Sequence, residues 1–205
     1  MCLNKTSNLM KYIFPFLLSY FSATCIAQTS TNSNITIQSL ERKSQMMNSS
    51  LVKNITFTNI GPTVMSGRVA DISVNPENST EFYVGYASGG LWYTKNNGMT
   101  FTPVLDNSPT QNIGDIAVDW SSGTIWVGTG EKNSSRSSYA GIGILKSVDK
   151  GKTWSNVGLP DSHHISRILI NPNNGNEVVV GVIGHLYSSN EERGVFKTID
   201  GGKTW

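Results

Sequence analysis

Short apolar runs separated by polar turns recur along the chain from about residue 70 onward. They come in three sets of three, and within a set the second run ends in Gly and the third begins with Gly. The runs cover residues 70–74, 82–85, 90–93, 114–118, 125–128, 143–146, 166–170, 178–181 and 194–197. Their length, their β-branched and aromatic content and the Gly, Asn and Ser residues between them predict strands. No long stretch has an apolar period of 3.6 residues, so we expect almost no helix.

A turn motif follows each set of runs. Its full form, Ser/Thr-x-Asp-x-Gly-x-Thr-Trp, begins at Ser147 and again at Thr198, and a degenerate copy with Asn96 and Phe101 begins at Thr94. The starts are about 50 residues apart. Three strands before the turn and a fourth after it, repeated at such a period, predict one four-stranded β-propeller blade per repeat.

The motif is chemically complete as a turn. Its Asp or Asn accepts hydrogen bonds from backbone N–H groups of the same turn, its Gly supplies a positive φ, and its aromatic residue buries a large ring. We therefore favour a structural role over a catalytic or metal-binding one. The residues assigned to this role are Asn96, Gly98, Phe101, Ser147, Asp149, Gly151, Trp154, Thr198, Asp200, Gly202 and Trp205.

The predicted fold class is all-β, with three propeller blades of four antiparallel strands. The β-propeller segment spans residues 56–205, with blades at about 56–107, 108–160 and 161–205. Because propellers close with roughly four to eight blades, three blades form an incomplete propeller, and we expect the natural chain to continue past Trp205. Unpaired strand edges are expected to make the 205-residue chain poorly soluble or oligomeric.

Residues 1–27 have the composition of a secretory signal peptide. Lys5 and Lys11 precede an apolar run, and Cys25 and Ala27 are the small residues expected before a cleavage site. A permanent membrane anchor is the competing interpretation, although the run is short for a bilayer span, and acylation at Cys25 is a further alternative. The signal predicts a secreted protein, extracellular, at the cell surface or periplasmic, without a stable membrane span after cleavage. Residues 28–55 are expected to form a flexible lead-in.

The charge balance argues against a nucleic-acid-binding surface. The chain has 16 basic and 14 acidic residues, and two of the basic ones lie in the predicted signal peptide, which leaves the remainder neutral. No basic footprint for nucleic acid is therefore predicted. Both cysteines, Cys2 and Cys25, lie in the same segment, so we expect no disulfide in the secreted part.

The repeats resemble those of the BNR/Asp-box superfamily, which includes sialidases, sortilin-like propellers and xyloglucan-specific glycoside hydrolases. The similarity to secreted bacterial proteins with a sortilin-like N-terminal domain, often labelled glycosyl hydrolases, covers about residues 56–205. Beside the turn motifs, it is carried by residues 60–62, 66–68, 128–131, 163–167, 184–186 and 191–197. This resemblance implies a β-propeller and makes glycoside hydrolysis a candidate activity.

Two departures from the enzyme members of that group weigh against catalysis. Sialidases carry an Arg-Ile-Pro element, which does not occur in this sequence. Xyloglucanases place a catalytic aspartate in a stretch that matches residues 86–90, where this chain has Ala87. Glycosidases of the usual kind need two carboxylates, so whether the protein is an enzyme stays open. Asp71, Asp115 and Glu131 are weak catalytic candidates.

Polar residues on the first strands and on the longest loops are the binding candidates, because rim loops usually form the ligand site of a propeller. The longest insertion covers residues 130–141, and its counterpart in the third blade carries Tyr187. For the charged first-strand residues we favour pairing between blades, and for His164 a bond to the strand start or the adjacent loop. The candidates are Arg68, Glu131, Arg136, His163, His164, Arg167 and His185.

No metal site and no cofactor are predicted, because the three histidines lack the spacing of a known metal motif. The leading hypothesis is a secreted scaffold that binds carbohydrate or an extracellular protein at its rim. The alternative is a xyloglucanase-like or sialidase-like glycoside hydrolase whose remaining catalytic residues lie beyond Trp205. A purely structural surface module is the third possibility.

Overall fold

A computed structural model of the chain describes residues 30–55, 67–134 and 138–205. The fold below is that of the unit Asn32–Trp205. The predicted signal peptide at residues 1–27 lies outside the described residues, and so does the binding candidate Arg136. Within the described residues, no helix combines the length and the apolar character needed to cross a bilayer.

A helix precedes the strands and corrects the expectation of almost no helix. Helix α1 (Ser33–Ser49) begins after Asn32, whose side-chain oxygen accepts a hydrogen bond from the Asn34 N–H at 2.8 Å. None of its residues is buried. Residues 40–47 are mostly good helix formers, and the Asn32 side chain accepts a hydrogen bond from one of the free N–H groups of the first turn. Local preference therefore forms a helix in a segment whose overall composition indicated an irregular lead-in.

The rest of the described chain forms three antiparallel sheets in which spatial order equals chain order. The first contains β1 (Val69–Val74), β2 (Phe82–Tyr86), β3 (Gly90–Thr94) and β4 (Thr102–Pro103). The second contains β5 (Ile113–Asp119), β6 (Thr124–Thr129), β7 (Ile144–Ser147) and β8 (Ser155–Asn156). The third contains β9 (Ile165–Asn171), β10 (Asn174–Val182) and β11 (Gly194–Thr198). Sheets of this order, repeated side by side, are β-propeller blades, which confirms the predicted fold class.

The blades pack against one another through apolar layers. The inner strand β5 lies between the inner strands β1 and β9. One layer joins the first and second blades and includes Tyr83 and Ile113. The other joins the second and third blades around Trp126 and Ile165, which are both fully buried. The core therefore lies at the interfaces between blades. Each of these interfaces is built from apolar residues of both neighbouring blades.

Glycine on the second strand of a blade allows the inner strand of the next blade to pack closely against it. Gly85, Gly128 and Gly181 occupy equivalent positions on β2, β6 and β10. A Cβ on Gly128 would lie 2.3 Å from Ile165 Cγ2, and one on Gly85 would lie 3.2 Å from Ile113 Cγ2. In both cases the neighbouring atom belongs to the inner strand of the next blade. The Val-Gly pair that ends each second run in the sequence is thus a packing requirement of the joint.

The turn motifs adopt the predicted hydrogen-bonded turn. In the second blade, Asp149 Oδ1 accepts from the Thr153 N–H at 2.9 Å, and Oδ2 accepts from the Thr153 hydroxyl at 2.6 Å. The N–H of Gly151, which has a φ of 87°, donates to Ser147 Oγ at 2.8 Å. The third copy repeats these contacts around Asp200. The carboxylate therefore serves its own turn in both full copies of the motif.

The closing tryptophan of each full motif ties its blade to the preceding one. Trp154 Nε1 donates to the Val104 carbonyl at 2.9 Å, and Trp205 Nε1 donates to the Val157 carbonyl at 2.7 Å. Val104 follows β4 and Val157 follows β8, so each bond crosses one joint between blades. Phe101 in the first blade has no ring N–H and packs edge-on against Phe82, with 6.2 Å between ring centroids.

Acid should weaken the second turn motif through Asp149. Hydrogen bonds, above all from the Thr153 hydroxyl and N–H, lower the pKa of Asp149 to about 2. A carboxyl whose pKa is lowered by folding stabilises the fold above its ordinary pKa of about 4, and this contribution is lost as the pH falls through about 2. We expect the difference in urea midpoint between wild type and Asp149→Asn to be largest above about pH 4 and to shrink toward zero as the pH falls below about 2.

Asn96→Asp is the matched control for this prediction, because it adds a carboxylate at the same position of the first motif. Asn96 already accepts from the Thr100 N–H at 3.0 Å. The urea midpoint of Asn96→Asp should exceed that of wild type near neutral pH and converge on it in acid. A difference for Asp149→Asn that does not change with pH would show that the charge of the carboxylate makes no contribution.

Candidate functional site

The antiparallel order places two sets of loops at opposite ends of the blades. A chain that enters the first strand at one end leaves the second strand at that same end. The connections from second to third strand, of which residues 130–134, 138–143 and 183–193 are described, therefore share one end with residues 157–164, which lead into β9. We call this end the upper face. The turn motifs join third and fourth strands, so they lie at the opposite end.

Two aspartates at matching positions of the first strands link neighbouring blades. Asp71 Oδ2 accepts a hydrogen bond from the Ile116 N–H at 3.4 Å, and Asp115 Oδ2 accepts one from the Ile168 N–H at 2.8 Å. The third blade has Arg167 at this position, with its guanidinium 3.8 Å from Asp115 Oδ1. The pairing between blades that the sequence favoured is therefore present at these positions.

Asp115 is fully buried and is paired with a lysine that was not among the candidates from the sequence. Lys132 Nζ lies 2.8 Å from Asp115 Oδ1, and the lysine side chain is only 25% exposed. Burial raises the pKa of Asp115, while the hydrogen bonds from Lys132 and from the Ile168 N–H act in the opposite direction. The sequence feature that could have indicated Lys132 is its position directly after Glu131 in the longest loop. Asp115 is thus an anchor inside the joint rather than a group that faces solvent.

Glu131 connects all three blades. Its buried carboxylate forms an ion pair with Arg68 of the first blade, whose side chain is 53% exposed. Its backbone N–H donates to the Tyr139 carbonyl at 3.0 Å within the same loop. Its carbonyl accepts from His164 Nδ1 of the third blade at 2.9 Å, which is the loop contact that the sequence favoured for this histidine. Glu131 therefore holds the base of the long loop between its two neighbours.

His163 and His185 meet an aspartate beside this loop. The two rings stack with 3.7 Å between their centroids, and His185 Nε2 lies 3.2 Å from Asp161 Oδ1. Burial, followed by repulsion from His185, lowers the pKa of His163. One ligand atom from each of these three residues lies within 4.8 Å of the others. No metal site was predicted from the sequence, because the three histidines lack the spacing of a known metal motif. Asp161 precedes the histidine pair and meets His185 only in the fold.

The two long loops form one continuous surface on the upper face. The Gly141 N–H of the first loop donates to the His163 carbonyl at 2.6 Å, and His163 stacks on His185 of the second loop. We call residues 130–134, 138–141 and 184–193 the upper loop surface. Tyr139 is 56% exposed on it and Tyr187 is 88% exposed. The surface therefore presents two aromatic side chains to solvent.

The position that the xyloglucanase resemblance assigns to a catalytic aspartate is closed. Ala87 is only 2% exposed. Its N–H donates to the Arg68 carbonyl at 2.8 Å, and its carbonyl accepts from the Ile113 N–H at 3.1 Å. The first blade thus offers no carboxylate there. The weak catalytic candidates Asp71, Asp115 and Glu131 all make contacts between blades.

These observations define the class: a β-propeller protein whose inner carboxylates join its blades and whose upper face carries two linked loops. Among solved structures, an ancestral GH74 enzyme is 23% identical, with a TM-score of 0.49 over 67% of this chain and 18% of that one. YCF48 bound to D1 peptide is 16% identical, with a TM-score of 0.47 over 69% of this chain and 39% of that one. The GH74 xyloglucanase from Xanthomonas campestris is 14% identical, with a TM-score of 0.35 over 65% of this chain and 29% of that one.

This chain therefore spans less than two fifths of the length of each of these three structures. No family model matches the sequence, and no curated protein matches it. Likeness at these scores describes neither activity nor ligand, and the fold rests on the three sheets of the chain itself.

Proposed function

We propose that this chain is part of a secreted β-propeller of the BNR/Asp-box, sortilin-like group and that it binds carbohydrate through the upper loop surface. The observation that carries the proposal is the pair of exposed tyrosines, Tyr139 and Tyr187, on two loops that meet at His163. A tyrosine presents an apolar ring and a polar hydroxyl side by side. A sugar has the complementary pattern, with C–H faces that pack on rings and hydroxyls that take hydrogen bonds.

Contacts within each loop hold the described residues that flank the two tyrosines. The Glu131 N–H bond to the Tyr139 carbonyl closes the first loop, and the His185 N–H donates to Asn190 Oδ1 at 3.0 Å in the second. A surface that is ordered without its ligand loses less conformational freedom on binding. The two tyrosines therefore start from a prearranged backbone.

The charges near this surface favour binding over cleavage. Arg68 and Arg167 have side chains that are 53% and 60% exposed, so their guanidinium groups can donate to sugar hydroxyls or acidic sugars. The carboxylates of Asp115 and Glu131 are buried and paired with cations. A neutral or acidic glycan matches this arrangement.

A glycoside hydrolase is the second candidate, and Asp115 is the observation that favours it. Burial raises the pKa of this carboxyl, as it does for the general acid of many glycosidases. Such an enzyme also needs a second carboxylate across the scissile bond. Within the described residues, Asp71 and Glu131 are the candidates for that role, and both are engaged between blades.

Replacing Tyr187 with alanine should weaken binding to the polysaccharide that the wild type retains. Affinity gel electrophoresis in xyloglucan and in mixed-linkage β-glucan measures this retention. We expect about a two- to tenfold loss of affinity, since packing on an aromatic face contributes about 0.5–1.5 kcal/mol. Ile199→Ala is the matched control, because Ile199 is 69% exposed but belongs to the third turn motif at the opposite end.

Equal affinity of wild type and Tyr187→Ala would remove the upper loop surface from the proposal. A loss of retention in Ile199→Ala instead would place the binding site at the end that carries the turn motifs. Failure of the wild type to be retained by either polysaccharide would favour an extracellular protein as the ligand.

A further inference from the structure

We propose that Asp161, His163 and His185 form a binding site for a divalent transition-metal ion, with Zn²⁺ as the best fit. The three residues come from the segment before β9 and from the loop after β10. This site adjoins the upper loop surface, but its ligands are not the exposed tyrosines, so metal binding can be measured without any carbohydrate. It would join the two parts of the third blade that meet on the upper face.

The ligand atoms already have nearly the required spacing. Two ligands of a tetrahedral Zn²⁺ ion, each about 2.0–2.1 Å from the metal, lie about 3.4 Å apart. His185 Nε2 and Asp161 Oδ1 are 3.2 Å apart. The ligand atom of His163 lies within 4.8 Å of both. The His163 ring is stacked on that of His185, with 26° between the ring planes, so it must turn out of the stack to direct a ring nitrogen at the same ion.

Neighbouring side chains orient two of these ligands. Ser188 Oγ contacts His185 Nδ1 at 2.8 Å, which leaves Nε2 directed at Asp161. Asn190 Nδ2 donates to the Asp161 carbonyl at 2.8 Å and to its Oδ2 at 3.3 Å, which leaves Oδ1 for the metal. Outer groups that fix the tautomer of a histidine and the direction of a carboxylate are a regular feature of metal sites. A His–Asp hydrogen bond that binds no metal would not require a second contact on each of its two partners.

His163 is held against His185 by its backbone. It has a φ of 51°, a left-handed conformation that few residues other than glycine adopt. Its carbonyl accepts the Gly141 N–H, and a Cβ added to Gly130 would lie only 1.8 Å from the same oxygen. The adjacent blade therefore presses on this residue and maintains the conformation. Non-glycine residues kept in such conformations cluster at functional sites.

The donor set selects the type of metal. Two imidazole nitrogens and one carboxylate oxygen suit Zn²⁺ and its transition-metal neighbours, whereas Ca²⁺ and Mg²⁺ prefer oxygen ligands throughout. Three protein ligands leave one position of a tetrahedral ion for water or for a group of the bound molecule. The ion would link residues 161–163 to the loop 184–193, which carries Tyr187.

Titration of the metal-free, untagged 205-residue chain carrying Cys2→Ser and Cys25→Ser, which removes both thiols, with Zn²⁺ in a calorimeter tests the site. We expect one ion per chain. His185→Asn can keep the contact to Ser188 but lacks Nε2, so it should lower the affinity at least 100-fold, and Asp161→Asn should lower it about tenfold. His164→Asn is the matched control, because it removes the remaining histidine, and it should change the affinity by less than about threefold.

A second measurement needs no variant and covers the case in which His185→Asn does not fold. The chain contains three histidines, so the imidazole region of a long-range ¹H–¹⁵N spectrum holds three ring systems. Addition of Zn²⁺ should shift two of them and leave the third unchanged. Absence of stoichiometric binding, three unchanged rings, or equal losses of affinity in His164→Asn and His185→Asn would each overturn the site.

Discussion

Replacing Gly128 with alanine should lower the free energy of unfolding of the 205-residue chain by about 1–3 kcal/mol, as overpacking of a filled core does. Gly128 lies on β6, where the second blade meets the inner strand of the third. An added Cβ would lie 2.3 Å from Ile165 Cγ2 and 2.6 Å from Ile165 Cβ. Ile165 is fully buried and cannot turn away, so the two blades must separate to accept the methyl group.

Gly181→Ala is the matched control for this substitution. Gly181 has the same place in the repeat, on β10, but the nearest atom to an added Cβ would be Ser166 Oγ at 3.0 Å, which can move at the cost of its hydrogen bond to the Gly181 carbonyl. The free energy of unfolding of Gly181→Ala should therefore fall by no more than about 1 kcal/mol. Urea unfolding followed by tryptophan fluorescence measures both variants. Equal losses would show that the strand itself, and not the joint between blades, disfavours the methyl group.

Removing the Asp115 side chain should cost about 2–3 kcal/mol of unfolding free energy. Asp115→Ala leaves the Ile168 N–H without its acceptor and leaves Lys132 and Arg167 without their shared carboxylate. Loss of one partner from a fully buried ion pair typically costs about 3–5 kcal/mol. The expected value is smaller here because the Lys132 side chain is 25% exposed and can recover part of its hydration.

Asp71→Ala is the control, because Asp71 holds the same position in the first blade. Its bond to the Ile116 N–H is longer, at 3.4 Å, and Asp71 is only partly buried. Its removal should cost about 1 kcal/mol or less, because a 3.4 Å bond to a partly exposed carboxylate is weak. A larger loss in Asp71→Ala than in Asp115→Ala in urea unfolding would contradict the assignment of Asp115 as the main anchor between blades.

Most of the strand framework could be predicted from the sequence, because the pattern of the first three strands of a blade occurs three times along the chain. The run at residues 82–85, for example, corresponds to β2 (Phe82–Tyr86), and the run at 114–118 to β5 (Ile113–Asp119). The turn motif was equally informative, since its Asp, Gly and Thr make their hydrogen bonds within a few residues of one another. Features that are local in sequence and repeated are the ones that a single sequence displays.

The candidate site was harder to predict because its contacts join positions that do not repeat. Asp161 and His185 are 24 residues apart and meet only when the third blade forms. Lys132 and Asp115 are 17 residues apart, and their contact involves a long loop whose sequence does not repeat in the other blades. Helix α1 was missed for a different reason. Its Ser and Asn residues dominated the composition of the segment, although its second half favours a helix.

Binding without cleavage at the upper loop surface can be tested in a single sample. The 205-residue chain is incubated with xyloglucan. The amount of xyloglucan bound to the protein and the number of reducing ends released are then both measured. We predict retention that weakens in Tyr187→Ala, with reducing ends at the level of the protein-free control. Release of reducing ends that is lost in Asp115→Asn would contradict the proposal and establish a hydrolase instead.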